Sequence, residues 1–136
     1  MSKIVCCSGY FNPLHYGHIE YFERSRALGD VLVVIVNNDK QAHLKKGSSF
    51  MSEQERLKII RSLKIVDYAV LSIDEDRTVC KTLESVQPHI FANGGDQFNT
   101  NIPEKPVCDK LNIQMVDSLG DKLQSSSWLL EKAKHN

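Results

Sequence analysis

Val31-Leu32-Val33-Val34-Ile35-Val36 is the stretch whose reading settles the fold class. Six apolar, mostly β-branched residues in succession leave no solvent-facing side. The segment therefore reads as a strand covered on both faces, the situation of a central strand in a parallel sheet. It extends to Asn37, giving a strand over 31–37, and further apolar strand candidates occur at 4–8, 66–71, 90–93 and 113–116.

Helical patterns lie between these strands. The first begins near Tyr16 and ends before Gly29, which suits a C′ residue. The second opens on a capping box, Ser52-Glu53-Gln54-Glu55, and carries Leu57, Ile60 and Leu63 on one face. A third runs from about Asp76 through Val79, Leu83 and Val86 and stops before Pro88. A short fourth covers 104–111, with Pro103 near its start, and a last one follows Ser125-Ser126-Ser127 through Leu129, Leu130 and Ala133. Residues 41–50, with Lys45, Lys46, Gly47, Ser48 and Ser49, read as a mobile polar loop.

Strict alternation of strand and helix implies an α/β chain: a Rossmann-like, doubly wound, five-stranded parallel sheet with helices on both faces. A length of 136 residues fits a single domain over 1–136. Ligands of such sheets bind beyond the carboxyl ends of the strands, so loops 9–15, 37–50, 94–100 and 118–127 are where function is expected.

Composition narrows the classes. Lys plus Arg and Asp plus Glu both number 17, so no global field favours nucleic acid or an anionic membrane, and neither is expected as a partner. The N-terminus enters a strand without a signal-type apolar region, and no run approaches a membrane span. Cys6, Cys7, Cys80 and Cys108 have no CxxC spacing, and neighbours in a strand point to opposite faces. Buried thiols and a reducing, cytoplasmic setting are the expectation.

Where the first strand gives way to the first helix, the chain reads Asn12-Pro13-Leu14-His15-Tyr16-Gly17-His18. A helix's first turn has free N–H groups and partial positive charge, which attract phosphate. Two imidazoles on that turn can donate hydrogen bonds to phosphoryl oxygens. Zinc would need three or four ligands, and His43, His89, His135 and the cysteines supply no companion spacing. After the fourth strand, Asn93-Gly94-Gly95-Asp96 combines glycines that let the chain pass close to a sugar or base with a carboxylate at the sheet edge. A nicotinamide dehydrogenase would show G-x-G-x-x-G in the first turn and a P-loop NTPase GxxxxGK[ST]; neither is present.

The segment Gly9-Tyr10-Phe11-Asn12-Pro13-Leu14-His15-Tyr16-Gly17-His18 resembles the HxGH signature of the cytidylyltransferase-like nucleotidyltransferase superfamily. The likeness is strongest to glycerol-3-phosphate cytidylyltransferases and heptose-phosphate adenylyltransferase domains. It extends through Leu28-Gly29-Asp30, Asp39 and Gly94-Gly95-Asp96 over nearly the whole chain. It implies transfer of an NMP moiety, CMP or AMP, from CTP or ATP to a small phosphorylated sugar or polyol, with release of pyrophosphate. Magnesium is expected to accompany the NTP, and a homodimer is expected.

The resemblance also implies residue roles. His15, His18, Lys45 and Lys46 would serve catalysis. Gly9, Tyr10, Phe11, Asn12, Gly17, Gly94, Asp96, Lys122, Ser125, Ser126 and Ser127 would bind nucleotide, while Asp39 and Arg56 would meet the acceptor. Asp96 is a candidate magnesium ligand, and no other protein ligand is expected. Three features depart from the usual pattern or refine it. Asn12 stands where Asp is usual and lacks its charge. Gly120 occupies the place of an upstream arginine, leaving Lys122 as its replacement. The run from Ser72 through Asp74 to Thr78 is nearer the adenylyl branch, although an acidic helix start explains it equally well. A non-catalytic nucleotide sensor using the same pocket is the alternative reading.

Overall fold

A computed structural model of the chain describes residues 2–46, 51–94 and 102–119. The elements follow in the order β1 (Ile4–Gly9), α1 (Tyr16–Arg26), β2 (Val31–Val36), α2 (Asp39–Lys46), α3 (Glu53–Arg61), β3 (Tyr68–Leu71), α4 (Cys80–Val86), β4 (Ile90–Gly94), α5 (Lys105–Lys110) and β5 (Gln114–Leu119). All five strands are parallel, in the order β3-β2-β1-β4-β5. This is the Rossmann-like α/β sheet that the strand–helix alternation implies.

Alternation along the strands splits the core into two layers. Val5 and Cys7 of β1, Leu32, Val34 and Val36 of β2, and Ile90 and Ala92 of β4 pack with Tyr21 and Phe22 of α1 and Leu57 and Ile60 of α3. Cys6, Val33, Ile35 and Phe91 point the other way, onto Val79, Leu83, Cys108 and Ile113. Helices therefore cover both faces, and Cys6 and Cys7 are separated by the sheet. Each buried Val, Leu, Ile or Phe side chain contributes about 1.5–3 kcal/mol of transfer free energy, the main force holding helices to sheet.

Burial also suppresses thiol ionisation. It pushes the Cys7 thiol up to about 12 and the Cys108 thiol up to about 11, and raises Cys6 well above the usual thiol range.

Four local expectations are revised. Residues 41–46 are helical rather than loop, because α2 begins at Asp39 and buries Gln41 and Ala42. Gln41 accepts from Asn37 Nδ2 and the Asn38 amide and donates to the carbonyls of Asp76 and Thr78, pinning the helix to the next crossover. β3 starts at Tyr68 rather than at 66. α4 starts at Cys80 rather than near Asp76, since the buried Asp74 carboxylate accepts from the amides of Lys81 and Thr82 and fixes the helix start there.

The last revision concerns Gly29. The C-cap of α1 is Ala27, so Gly29 lies past C′. It is glycine for another reason: a Cβ there would stand 2.7 Å from the Lys3 carbonyl oxygen. Ser52 caps α3 as expected, with Glu55 returning to its amide. Residues 47–50 and the expected last helix lie outside the described residues. Among the described residues, no helix is long and apolar enough to cross a membrane.

Candidate active site

From β1 the chain winds outward through β2 and β3, then returns to add β4 and β5 on the other side. The order therefore reverses between β1 and β4, and at that point the strands part. β1 pairs with β2 along its whole length, whereas its ladder with β4 covers Val5↔Ile90 and Cys6↔Phe91 and stops there. The Tyr21 hydroxyl, reaching up from α1, donates to the Ala92 carbonyl just beyond the last pair. The crevice opens into a cavity of about 930 Å³ lined by the β1–α1 turn, the head of α1, Lys45, residues 77–79, the end of β4 and Glu104. A crevice at a topological switch point is where sheets of this type bind ligands.

The head of α1 is built from the two histidines. His15 is the N-cap, and its Nδ1 accepts from the Gly17 amide at 3.1 Å. His18 returns the favour, its Nδ1 accepting from the His15 amide at 3.1 Å. This is a capping box with imidazoles in place of the usual hydroxyl and carboxylate. Each neutral ring must then carry its proton on Nε2, as a donor.

The rings stack with centroids 3.8 Å apart, and Phe11 and His18 meet in a T-shaped pair with centroids 5.0 Å apart. Burial, reinforced by His15 and then by the Lys45 ammonium, lowers the His18 pKa to about 4. His18 is neutral at pH 7.

Phe11 lies in the core with φ of 52°, a left-handed conformation unusual for a side chain of its size, and is 2% exposed. Its ring folds back over Gly9, where an added Cβ would stand 2.7 Å from the Phe11 Cζ. Gly9 is therefore glycine because of Phe11, besides forming part of the cavity wall.

Asn12 Oδ1 accepts from the Met51 amide at 2.8 Å, tying the turn to the entrance of α3. An amide oxygen serves that bond as well as a carboxylate would. Lys45, on α2, sits with its Nζ 4.3 Å from the centroid of the Tyr10 ring and lines the cavity beside the histidines.

The structure thus brings Gly9, Tyr10, Phe11, Asn12, His15, Gly17, His18, Lys45 and Gly94 to one cavity. It does not bring Arg56 or Asp39 there. Arg56 is fully buried and does not line the cavity, and the expectation that it meets the acceptor is corrected accordingly. Its guanidinium donates to the carbonyls of Met51, Tyr10 and Asn37 and, at 2.9 Å, to Asp39 Oδ1. It joins three loops at the carboxyl edge of the sheet. Asp39 pairs with Arg56 through Oδ1 and lies in the first turn of α2, its side chain still 37% exposed. Asp96, Lys122, Ser125, Ser126, Ser127 and the side chain of Lys46 lie outside the described residues.

Sequence reasoning assigned no site role to several lining residues: Tyr21, Arg77, Thr78, Asn93 and Glu104. Glu104 is largely buried, accepts from the Val79 amide at 3.0 Å, and has its carboxyl pushed up by burial. The Tyr21 phenol is raised well above its usual value, again by burial. Among the described residues, no group of three or more His, Cys, Asp and Glu side chains could hold a metal ion.

Comparison with known proteins adds an independent line. The sequence profile of the cytidylyltransferase-like family matches residues 6–123. The chain is 35% identical over 136 residues to the bifunctional protein HldE of Pelobacter propionicus, covering 98% of this chain and 26% of that protein. It is 37% identical over 138 residues to the bifunctional protein HldE of Helicobacter pylori strain HPAG1, covering 98% of this chain and 28% of that protein. The chain thus spans about a quarter of the length of the curated relatives it matches. Among solved structures, the lipopolysaccharide core biosynthesis protein of Thermoplasma volcanium GSS1 superposes with a TM-score of 0.74 at 34% identity, covering 86% of this chain and 96% of that one.

Proposed function

The chain belongs to the cytidylyltransferase-like family of nucleotidyltransferases, and on that premise we propose that it transfers CMP or AMP from CTP or ATP to a phosphorylated sugar or polyol. The observation that carries this reading is the reciprocal cap of His15 and His18, which leaves an Nε2–H donor on each of two rings lining a cavity at the switch point of the sheet.

In the reaction, an oxygen of the acceptor's phosphate attacks the α-phosphorus of the NTP. A new O–P bond forms as the bond from the α-phosphorus to the bridging oxygen breaks, and pyrophosphate leaves with that electron pair. The nucleophile is already an anion, so no general base is required. What the protein contributes is alignment and charge stabilisation. The two imidazoles donate to oxygens on the reacting phosphorus, and the Lys45 ammonium offsets charge that accumulates on the triphosphate. Their fixed tautomers mean that no ring has to reorient as the charge develops.

Magnesium bound with the triphosphate would supply further charge compensation there, and among the described residues no side-chain cluster would hold it. Relatives named for a bifunctional protein and for lipopolysaccharide core biosynthesis support a sugar phosphate as the acceptor class.

The test is pyrophosphate release with ATP and CTP across glycerol 3-phosphate and hexose and heptose 1-phosphates. Turnover on one pairing supports the transferase. Tight NTP binding with no turnover on any acceptor would favour a nucleotide sensor instead.

A further inference from the structure

Asn93 is the residue the proposed mechanism leaves unexplained. It is 5% exposed, lines the cavity, and among the described residues its amide Nδ2 is a buried side-chain donor without a hydrogen-bond partner. A buried donor left unpaired is costly and uncommon.

Its backbone setting explains how it comes to be so placed. The ladder between β4 and β1 has ended at Phe91, and the ladder between β4 and β5 shifts register between Ala92 and Gly94. Asn93 thus sits where β4 has left its ladder with β1, and the extra residue of the shifted ladder lies on β5, so β4 keeps its alternation.

Its face is equally informative. The histidines and Tyr21 approach from the layer that holds Val5, Cys7 and Ala92. By strand alternation Asn93 follows Phe91 onto the opposite layer, where the cavity wall is made by Val79, Pro103 and Glu104. A triphosphate held at the head of α1 leaves this wall of the cavity for the other substrate. Arg56 is fully buried and held by its own acceptors, and neither it nor Asp39 is among the residues lining this cavity.

We infer that Asn93 is a specificity-determining residue whose amide donates to a hydroxyl of the phosphorylated acceptor. The inference rests on the transferase reading and adds to it the group that reads the acceptor's carbon chain. Buried polar groups of this kind discriminate because an analogue lacking the hydroxyl leaves them unpaired.

The experiment compares wild type with Asn93→Leu, a substitution of similar volume that deletes the donor. Glycerol 3-phosphate and hexose and heptose 1-phosphates are titrated calorimetrically in the presence of the α,β-methylene analogue of ATP or CTP. Pyrophosphate release is followed in parallel with the natural NTP. In Asn93→Leu, affinity for the best-bound acceptor falls about tenfold, the loss of one hydrogen bond. The Kd for the nucleotide analogue stays within about twofold. Tm is unchanged or higher, because an unpaired buried donor has been removed, whereas a merely structural asparagine would lower it.

Weaker acceptor binding in the variant with no turnover in either protein retains the role of Asn93 and rejects the transferase. Wild-type turnover with acceptor affinity unchanged in the variant rejects Asn93 alone, as does a loss confined to nucleotide binding. Failure of wild type to bind any acceptor overturns both.

Discussion

His15 and His18 hold each other in place: the main chain of the first donates to the ring of the second at 3.1 Å, and the two rings stack 3.8 Å apart. In the proposed reaction, capping and phosphate recognition are thereby combined in one pair of side chains. The nitrogens facing the helix are occupied by backbone amides, and the outward nitrogens carry the protons. From this pairing the following outcomes are expected.

His18→Ala lowers kcat for pyrophosphate release by roughly 10²–10³, the usual cost of losing one donor to a developing oxyanion. Because His18 also accepts from the His15 amide, the same variant loses about 1 kcal/mol of stability, the usual value of a helix cap. Measuring kcat and the urea midpoint together separates the two. A variant with unchanged turnover removes His18 from the mechanism.

The lowered His18 pKa gives stability a pH dependence of definite sign. Its folded value of about 4 lies below the ordinary histidine value of 6.5. Between those values the unfolded chain binds more protons than the folded one. The contribution is therefore fully present above about pH 6.5 and is lost as pH falls towards 4. In wild type the urea midpoint declines across that window, and in His18→Gln this part of the decline is absent. An identical profile in the two proteins rejects the assignment.

Arg56→Ala leaves the carbonyls of Met51, Tyr10 and Asn37 without their donor and Asp39 without its partner. A loss of roughly 3 kcal/mol or more in urea unfolding is expected, from buried acceptors left unpaired. Arg56→Lys does not restore it, since a single ammonium cannot reproduce a planar fork that meets four acceptors. Full rescue by lysine would show that charge alone matters at this position.

Gly9→Ala forces a methyl group against the Phe11 ring, which is itself held by His18 at 5.0 Å and Phe22 at 5.3 Å. Overpacking of about 1–3 kcal/mol follows, together with a fall in turnover as the displaced ring disturbs His18. Gly9→Ala/Phe11→Leu recovers stability, because the smaller side chain gives the methyl group room. A single variant as stable and active as wild type contradicts this packing.

Much of the fold was legible because its signals are local and strong. The unbroken apolar run of β2 and the capping box of α3 each carry their own structural instruction, and alternation put Cys6 and Cys7 on opposite faces. The histidine turn was legible for the same reason, since both imidazoles lie within one helical turn. What was missed depends on distant partners. α2 has too few apolar residues to declare itself, and it is held by Gln41 reaching into the β3–α4 crossover. Arg56 follows the pattern of a solvent-facing helix residue, but four acceptors at the three loops it joins draw it inside. Glu104 gave no signal, because a lone Glu becomes part of a site only when strand order brings it to the crevice; Asn93 stood in a stretch read for its glycines and its carboxylate, and only the fold brings its own side chain to the cavity.

The most direct measurement is ¹⁵N NMR of the histidine side chains with and without CTP or ATP. At pH 7 the free protein is expected to show His15 and His18 as Nε2–H tautomers, with bare Nδ1 atoms. Saturating nucleotide should shift both Nε2–H resonances as they bond to phosphate oxygen. Protons on Nδ1, or resonances indifferent to nucleotide at saturation, would contradict the central claim.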